Sequence, residues 1–345
     1  MDSAYRIRNV YFGSDYFDSC RKKKGEEIFM AREDFMQRYI IGVPRRKRWR
    51  LLLRDWQLYL MLLLPVAFYV LFKYMPMYGT IIAFKKYSAK RGIWGSKWVG
   101  FTNFNKFLSD PYFYKLIRNT LLINLYSLLF AFPSSIMFAL LLNEIKHQNY
   151  RKIVQTIAYL PHFISTVVVC GLVTNFLRSN GGLINDLIVM LGGERVAFMN
   201  KPEYFRGIYV ISEIWQHLGW DAIIYIAALT AIDPQLYEAA RVEGANRFQQ
   251  TIYVTLPCIA STVIIMLLMR IGNMMNLGHE KILLLYNGAT YETADVISTY
   301  VYRRGLLTSD FSYGTAIGLF QSLIAFVLII STNYLSKKLN DTSLW

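Results

Sequence analysis

The 345 residues are 54% hydrophobic, with a mean hydropathy of +0.27 and a formal net charge of +15. The apolar residues gather into long runs instead of short alternating patterns, which excludes an ordinary soluble domain and marks a membrane chain. The basic residues lie beside those runs and not on one amphipathic face, so no nucleic-acid partner is expected. Cys20, Cys170 and Cys258 are far apart and the four His (147, 162, 217, 279) are scattered. Neither a disulfide framework nor a metal site is predicted.

In chain order, residues 1–50 read as a polar cytoplasmic tail, poorly ordered or lying on the surface. Its basic stretches, RKKKGEE and RRKRWRLLLR (45–54), suit anionic lipid headgroups. No cleavable signal peptide is visible, because the first apolar run starts near residue 56. From residue 51 onward the expectation is an all-α membrane domain. A span needs about 20 mostly apolar residues. Six runs meet that test, at 56–76, 121–143, 153–177, 207–229, 256–273 and 313–335. Pro65, Pro133 and Pro161 fall inside runs and predict kinked helices packed in a bundle.

Six spans put both termini on one side. If that side is cytoplasmic, it carries 21 of the 38 Lys and Arg, against 16 outside, with Arg270 inside a span. Nine of the outer ones lie between Lys73 and Arg118. The basic run against the first span decides the orientation, with termini inside. Residues 230–255 then face the cytoplasm.

That loop contains AIDPQLYEAARVEGANRF. Asp233 is placed to cap a helix, Pro234 suits its first position, and Gly244 suits its end. Arg247 to Thr255 can form a second helix running into the fifth span. Glu238-Ala239-Ala240, Gly244, Val254 and Leu256-Pro257 together resemble the EAA loop of ABC-importer permeases. Val254 and Glu243 stand where that family usually has Ile and Asp, and Ala260 where a further Pro is frequent. WVGFTNFNKFLSDPYFYKLIRNT (98–120) and HEKILLLYNGATYETADVISTYVYRRGL (279–306) resemble segments of carbohydrate-uptake permeases in the branch serving polysaccharide-derived oligosaccharides. The likeness runs over roughly residues 50 to 345.

The resemblance implies cytoplasmic coupling helices between spans 4 and 5, with Glu238, Ala239, Ala240, Gly244, Leu256 and Pro257 docking on an ATPase. It also implies two ATPase subunits carrying ATP and Mg, a second permease of different sequence, and an extracytoplasmic solute-binding protein that delivers an oligosaccharide. The chain lacks a G-x-x-x-x-G-K-[ST] phosphate loop, so it is not expected to be an enzyme itself.

Polar groups within spans mark a path or a packing contact. On the fourth span Glu213, Gln216 or His217, and Trp220 or Asp221 recur at helical spacing. With Trp215, these could line a sugar path or anchor the helix. On the fifth span Arg270 and Asn273 lie one turn apart. Arg270 should face a cavity, where it would suit a carboxylate-bearing sugar, or pair with an acid such as Glu213. Gly314, Gly318 and Ser322 on the sixth span read as a packing stripe. The alternative function is an ion-coupled secondary sugar transporter using Glu213, Asp221 and Arg270 as a relay.

Overall fold

The computed structural model describes residues 56–275 and 278–340. The tail at 1–50 and the basic run at 45–54 lie outside the described residues, apart from which each apolar run forms helix. The long helices are α1 (Trp56–Phe84), α2 (Phe113–Glu144), α3 (Gln148–Phe163), α4 (Thr166–Phe176), α5 (Pro202–Thr230), α6 (Pro234–Val242), α7 (Arg247–Gly272), α8 (His279–Leu285) and α9 (Phe311–Asn340). The chain divides into two compact units. Of the described residues, one takes in those from 56 to 79 together with Tyr237–Tyr253, and the other comprises Thr80–Leu236 and the described residues from 254 to 340.

α1, α2, α7 and α9 are each long and apolar enough to cross a bilayer. α5 has the length, since its 29 residues rise about 43 Å. Its polar residues keep it out of that apolar set. The third run departs from expectation. It is not one span over 153–177 but two helices, α3 and α4, bent by 100°. Pro161 sits in a tight 3-10 turn at Leu160–Phe163, Ile164 is extended, and Ser165 begins α4 afresh by accepting from the Val168 amide at 3.4 Å. At 11 residues, α4 is too short to cross alone.

Prolines are absorbed in a recurring way. Pro76, Pro133 and Pro257 each stand two residues beyond a five-residue π-helical turn, at Val70–Tyr74, Ser127–Ala131 and Thr251–Thr255. A proline offers no amide to the carbonyl four residues back, and its ring crowds that carbonyl. The wider turn gives the carbonyl room without breaking the helix. Pro65, by contrast, lies within regular α-helix.

Within the larger unit the core fixes helix directions. Ile123 of α2 clusters with Tyr209 of α5, and Ala139 with Ala222 and Tyr225, so these helices run parallel. Ile259 of α7 joins the Ala222–Tyr225 cluster while Arg270 reaches back to Glu213, so α7 runs against α5. On α3 and α4, Ala158 abuts Gly219, His162 meets His217 and Cys170 meets Tyr209, again antiparallel to α5. Gly219 makes the first contact feasible: a Cβ there would lie 2.3 Å from the Ala158 carbonyl oxygen. Gly314 plays a similar part, meeting Gly305 backbone to backbone. Gly318 has open space in front of it and Ser322 bonds back to its own helix, so the stripe on α9 packs only at Gly314.

The N-terminal ends of α2, α5 and α9 share one polar layer. Asn119 donates to the Glu292 and Asp295 carbonyls and accepts from Arg206. Thr293 donates to the Pro202 carbonyl. Asp110 accepts from the hydroxyls of Tyr300 at 2.5 Å and Tyr313 at 2.9 Å. Burial pushes the Asp110 carboxyl up, but these hydroxyls and the Tyr112 amide outweigh it and hold it below its ordinary range.

Candidate functional site

Two of the predicted groups meet where α2, α5 and α7 converge. Arg270 Nη2 donates to Glu213 Oε1 at 2.6 Å and to Ser127 Oγ at 3.2 Å, while Nη1 donates to Asp221 Oδ2 at 3.3 Å. The Ser127 hydroxyl in turn donates to the second oxygen of Glu213. Glu213 and Asp221 are eight residues apart on α5, just over two helical turns, so both carboxylates can address one guanidinium. Glu213 is the more enclosed, with its side chain 18% exposed against 32% for Asp221. The cluster of one cation and two carboxylates carries a net charge of about −1 when all three are ionised.

Beside it lies a cavity of about 370 Å³, lined by these three residues together with Ser127, Tyr209, Tyr225 and Asn273. Small-ligand pockets start at about that size. Its walls mix methionine and aromatic surface with hydroxyl, amide and carboxylate groups, as a sugar with apolar faces and polar rims requires. Asn273 reaches the cavity, although its amide also bonds back to the Met269 carbonyl at 3.2 Å.

The rest of the α5 stripe points elsewhere. Gln216 is buried and contacts the Ile164 carbonyl at 3.5 Å, at the break between α3 and α4. Trp220 stacks on His162 with ring centres 4.2 Å apart and planes 3° apart. His162 Nδ1 lies 3.2 Å from His217 Nδ1, one ring donating to the other. Trp215 is 46% exposed and does not line the cavity. Neither Trp215 nor Trp220 nor Gln216 therefore borders this space. The stripe divides because residues at i+3 and i+4 fan over a wide arc, one edge facing α7 and the other facing α3.

Arg270 is thus paired, and its charge is already matched. A sugar carboxylate arriving beside it would be a third anion around one guanidinium. Simple truncation of Arg270 would remove the donor that two carboxylates share, so its loss would not report on substrate charge alone.

The loop after α5 is built as its residues dictate. Asp233 Oδ1 accepts from the Gln235 amide at 2.9 Å, and α6 starts at Pro234. Gly244 closes it with φ +82°, and the Ala245 amide donates to the Ala240 carbonyl at 2.9 Å. Asn246 and Gln249 then exchange side-chain-to-backbone bonds that start α7. Glu238, Ala239 and Gly244 are exposed, Ala240 is buried, and Val242 and Phe248 are 89% and 73% exposed. Leu256 and Pro257 lie where the π-helical turn passes into regular α-helix.

A helical membrane protein with a polar cavity among its helices and an exposed helix–glycine–helix loop has the form of a transport permease. Residues 112–341 match the family described as binding-protein-dependent transport system inner membrane component, and the chain belongs to that family. It is 43% identical over 304 residues to the polygalacturonan/rhamnogalacturonan transport system permease protein YteP of Bacillus subtilis, covering 87% of this chain and 95% of YteP. It is 42% identical to LplB of the same organism, over 85% of this chain and 92% of that one. Among solved structures, a chain of a bacterial alginate ABC transporter in complex with an alginate pentasaccharide-bound periplasmic protein superposes with a TM-score of 0.79 at 44% identity. That match covers 86% of this chain and 99% of the other.

Ser127, Tyr209 and Tyr225 went unmarked in the sequence. Each sits in an ordinary amphipathic position, and only the approach of α7 and α2 to α5 turns them toward one space.

Proposed function

We propose that this chain is a membrane subunit of an ATP-driven importer that carries acidic oligosaccharides inward by alternating access. One observation carries the substrate class: near full-length identity above 40% to YteP and to the alginate transporter chain, whose names both specify uronate-containing polysaccharides. The polar cavity at Arg270 supports a path between α2, α5 and α7.

Six crossings are made by α1, α2, the bent pair α3–α4, α5, α7 and α9, with both termini cytoplasmic. The alternating directions of α2, α3–α4, α5, α7 and α9 support this reading. The loop of Glu238, Ala239, Ala240 and Gly244, leading to Leu256 and Pro257, couples the chain to a pair of cytoplasmic ATPase subunits that hold ATP and Mg. Exposed Val242 and Phe248 support a docking role. A second permease of different sequence completes the membrane part, and an extracytoplasmic solute-binding protein delivers the sugar. The complex resides in the bacterial cytoplasmic membrane.

The test is co-purification of the tagged chain in mild detergent, followed by reconstitution into liposomes with its binding protein. An ATPase and a second permease should co-purify, and trigalacturonate should enter only with ATP. A chain that purifies alone and moves sugar on an ion gradient would overturn the proposal in favour of secondary transport.

A further inference from the structure

Lys281 is a cation with an unusual setting. It lies on α8, whose Ile282 and Leu285 are anchored in the core with Tyr209 and Cys170. The residue is 7% exposed, and its Nζ is buried with no hydrogen-bond partner among the described residues. That Nζ sits 5.3 Å over the ring of Tyr209. Glu213 follows Tyr209 by four residues on α5, so the two side chains stack on one face of that helix. Both also line the cavity. Burial pushes the Lys281 ammonium below its ordinary range, against the pull of the Glu213 carboxylate.

A buried ammonium without a hydrogen bond is costly, and such a group calls for an explanation in what it does. The carboxylate that acts on it is Glu213, now held by Arg270 at 2.6 Å. Counting Lys281, the centre holds two cations and two carboxylates and is close to neutral. Arg270 is bonded to both carboxylates, and Lys281 is bonded to neither.

We propose that Lys281 is the exchange partner of Glu213: when the path admits substrate, Glu213 passes from Arg270 to Lys281, and the released edge of the Arg270 guanidinium receives a uronate carboxylate. Lys281 is therefore a positioning residue that determines specificity for acidic sugar. The exchange keeps the centre at about one net negative charge with substrate bound, where Arg270 alone would face three anions. This inference rests on the acidic-oligosaccharide reading above.

The experiment measures ATP-driven trigalacturonate uptake by the whole importer in liposomes, for Lys281→Met and Lys281→Arg, each alone and combined with Glu213→Gln. Lys281→Met should lower uptake at least about tenfold, and Lys281→Arg should stay within about threefold of the unmodified protein. In the Glu213→Gln background Lys281→Met should cost nothing further, because the group it receives has lost its charge. Unchanged uptake by Lys281→Met, equal proportional losses in both backgrounds, or failure of Lys281→Met to assemble with its partners would each overturn the exchange. If the unmodified importer carries neutral oligosaccharides and not trigalacturonate, the acidic-substrate reading fails and the exchange falls with it.

Discussion

Between Pro202 and Gly272 the chain carries charge in two settings, and they are resolved in opposite ways. At the meeting of α2, α5 and α7, Arg270, Glu213, Asp221 and Ser127 satisfy one another over distances of 2.5 to 3.3 Å. In the loop at 234–250, the backbone is internally capped while Glu238, Val242, Gly244 and Phe248 are left exposed. The difference follows from solvent. In a membrane interior an unpaired charge costs several kcal/mol, so polar groups there must find partners within the chain. A loop in water can leave groups exposed and offer them to another protein, provided its own amides and carbonyls are capped.

Substitutions at the two places should therefore fail differently. The largest effect is expected at Arg270. Arg270→Met removes the guanidinium that Glu213 and Asp221 share and should cost about 3–5 kcal/mol, read as a drop in detergent melting temperature and poor assembly. Adding Glu213→Gln and Asp221→Asn should recover much of that stability. If Arg270→Met melts like the unmodified protein, the cluster is not the internal tie described here.

Gly244→Leu sharpens the other side. The left-handed backbone at φ +82° penalises a branched side chain by about 1–2 kcal/mol locally. Among the described residues nothing lies within 4 Å of an added Cβ, so space there is not limiting. The protein should insert and keep its melting temperature within a few degrees, yet lose uptake. Gly244→Asn separates causes, because Asn tolerates that backbone. Restored uptake would assign the role to conformation alone, whereas continued loss would point to close approach by the proposed ATPase partner.

Gly219→Val is expected to be milder than the Arg270 change and purely structural. A Cβ there would strike the Ala158 carbonyl, so α3 must move, at about 1–3 kcal/mol by melting temperature. The smallest effect is at Asp110, a tie within the polar layer. Its folded carboxyl sits below the ordinary value of 3.8, so its contribution is present above that value and is lost as pH falls through the lower folded one. Asp110→Asn should cost about 1 kcal/mol at neutral pH and flatten the acid limb of the stability profile. An unaltered acid limb would show that the Tyr300 and Tyr313 hydroxyls add nothing to the layer.

Much of the loop was legible residue by residue. Asp233, Pro234 and Gly244 act through neighbours no more than five positions away, and caps of that range are local physics. Arg270 was legible as a costly charge that should face a cavity or pair with an acid such as Glu213. Other parts were out of reach. The bend between α3 and α4 was hidden because Pro161 is tolerated in many straight membrane helices, and its effect depends on what packs at Ile164. Ser127 joins Arg270 across 143 positions, and His162 joins His217 across 55. No periodicity in any single helix encodes such a meeting. Trp215, Gln216 and Trp220 fell on the predicted stripe but not on the cavity, because a helical stripe is broad and α7 covers only one edge of it.

By itself, the sequence determined that the chain is membrane-embedded, which runs become helix, and how the loop is capped. Those properties depend on transfer of side chains from water and on hydrogen bonds within one or two turns. Tertiary structure decided which polar groups face one another, that Arg270 is shared between Glu213 and Asp221, and that Lys281 is buried over Tyr209 without a hydrogen bond to any described residue. Charge pairing depends on distance in space, and only the packing of distant helices sets that distance.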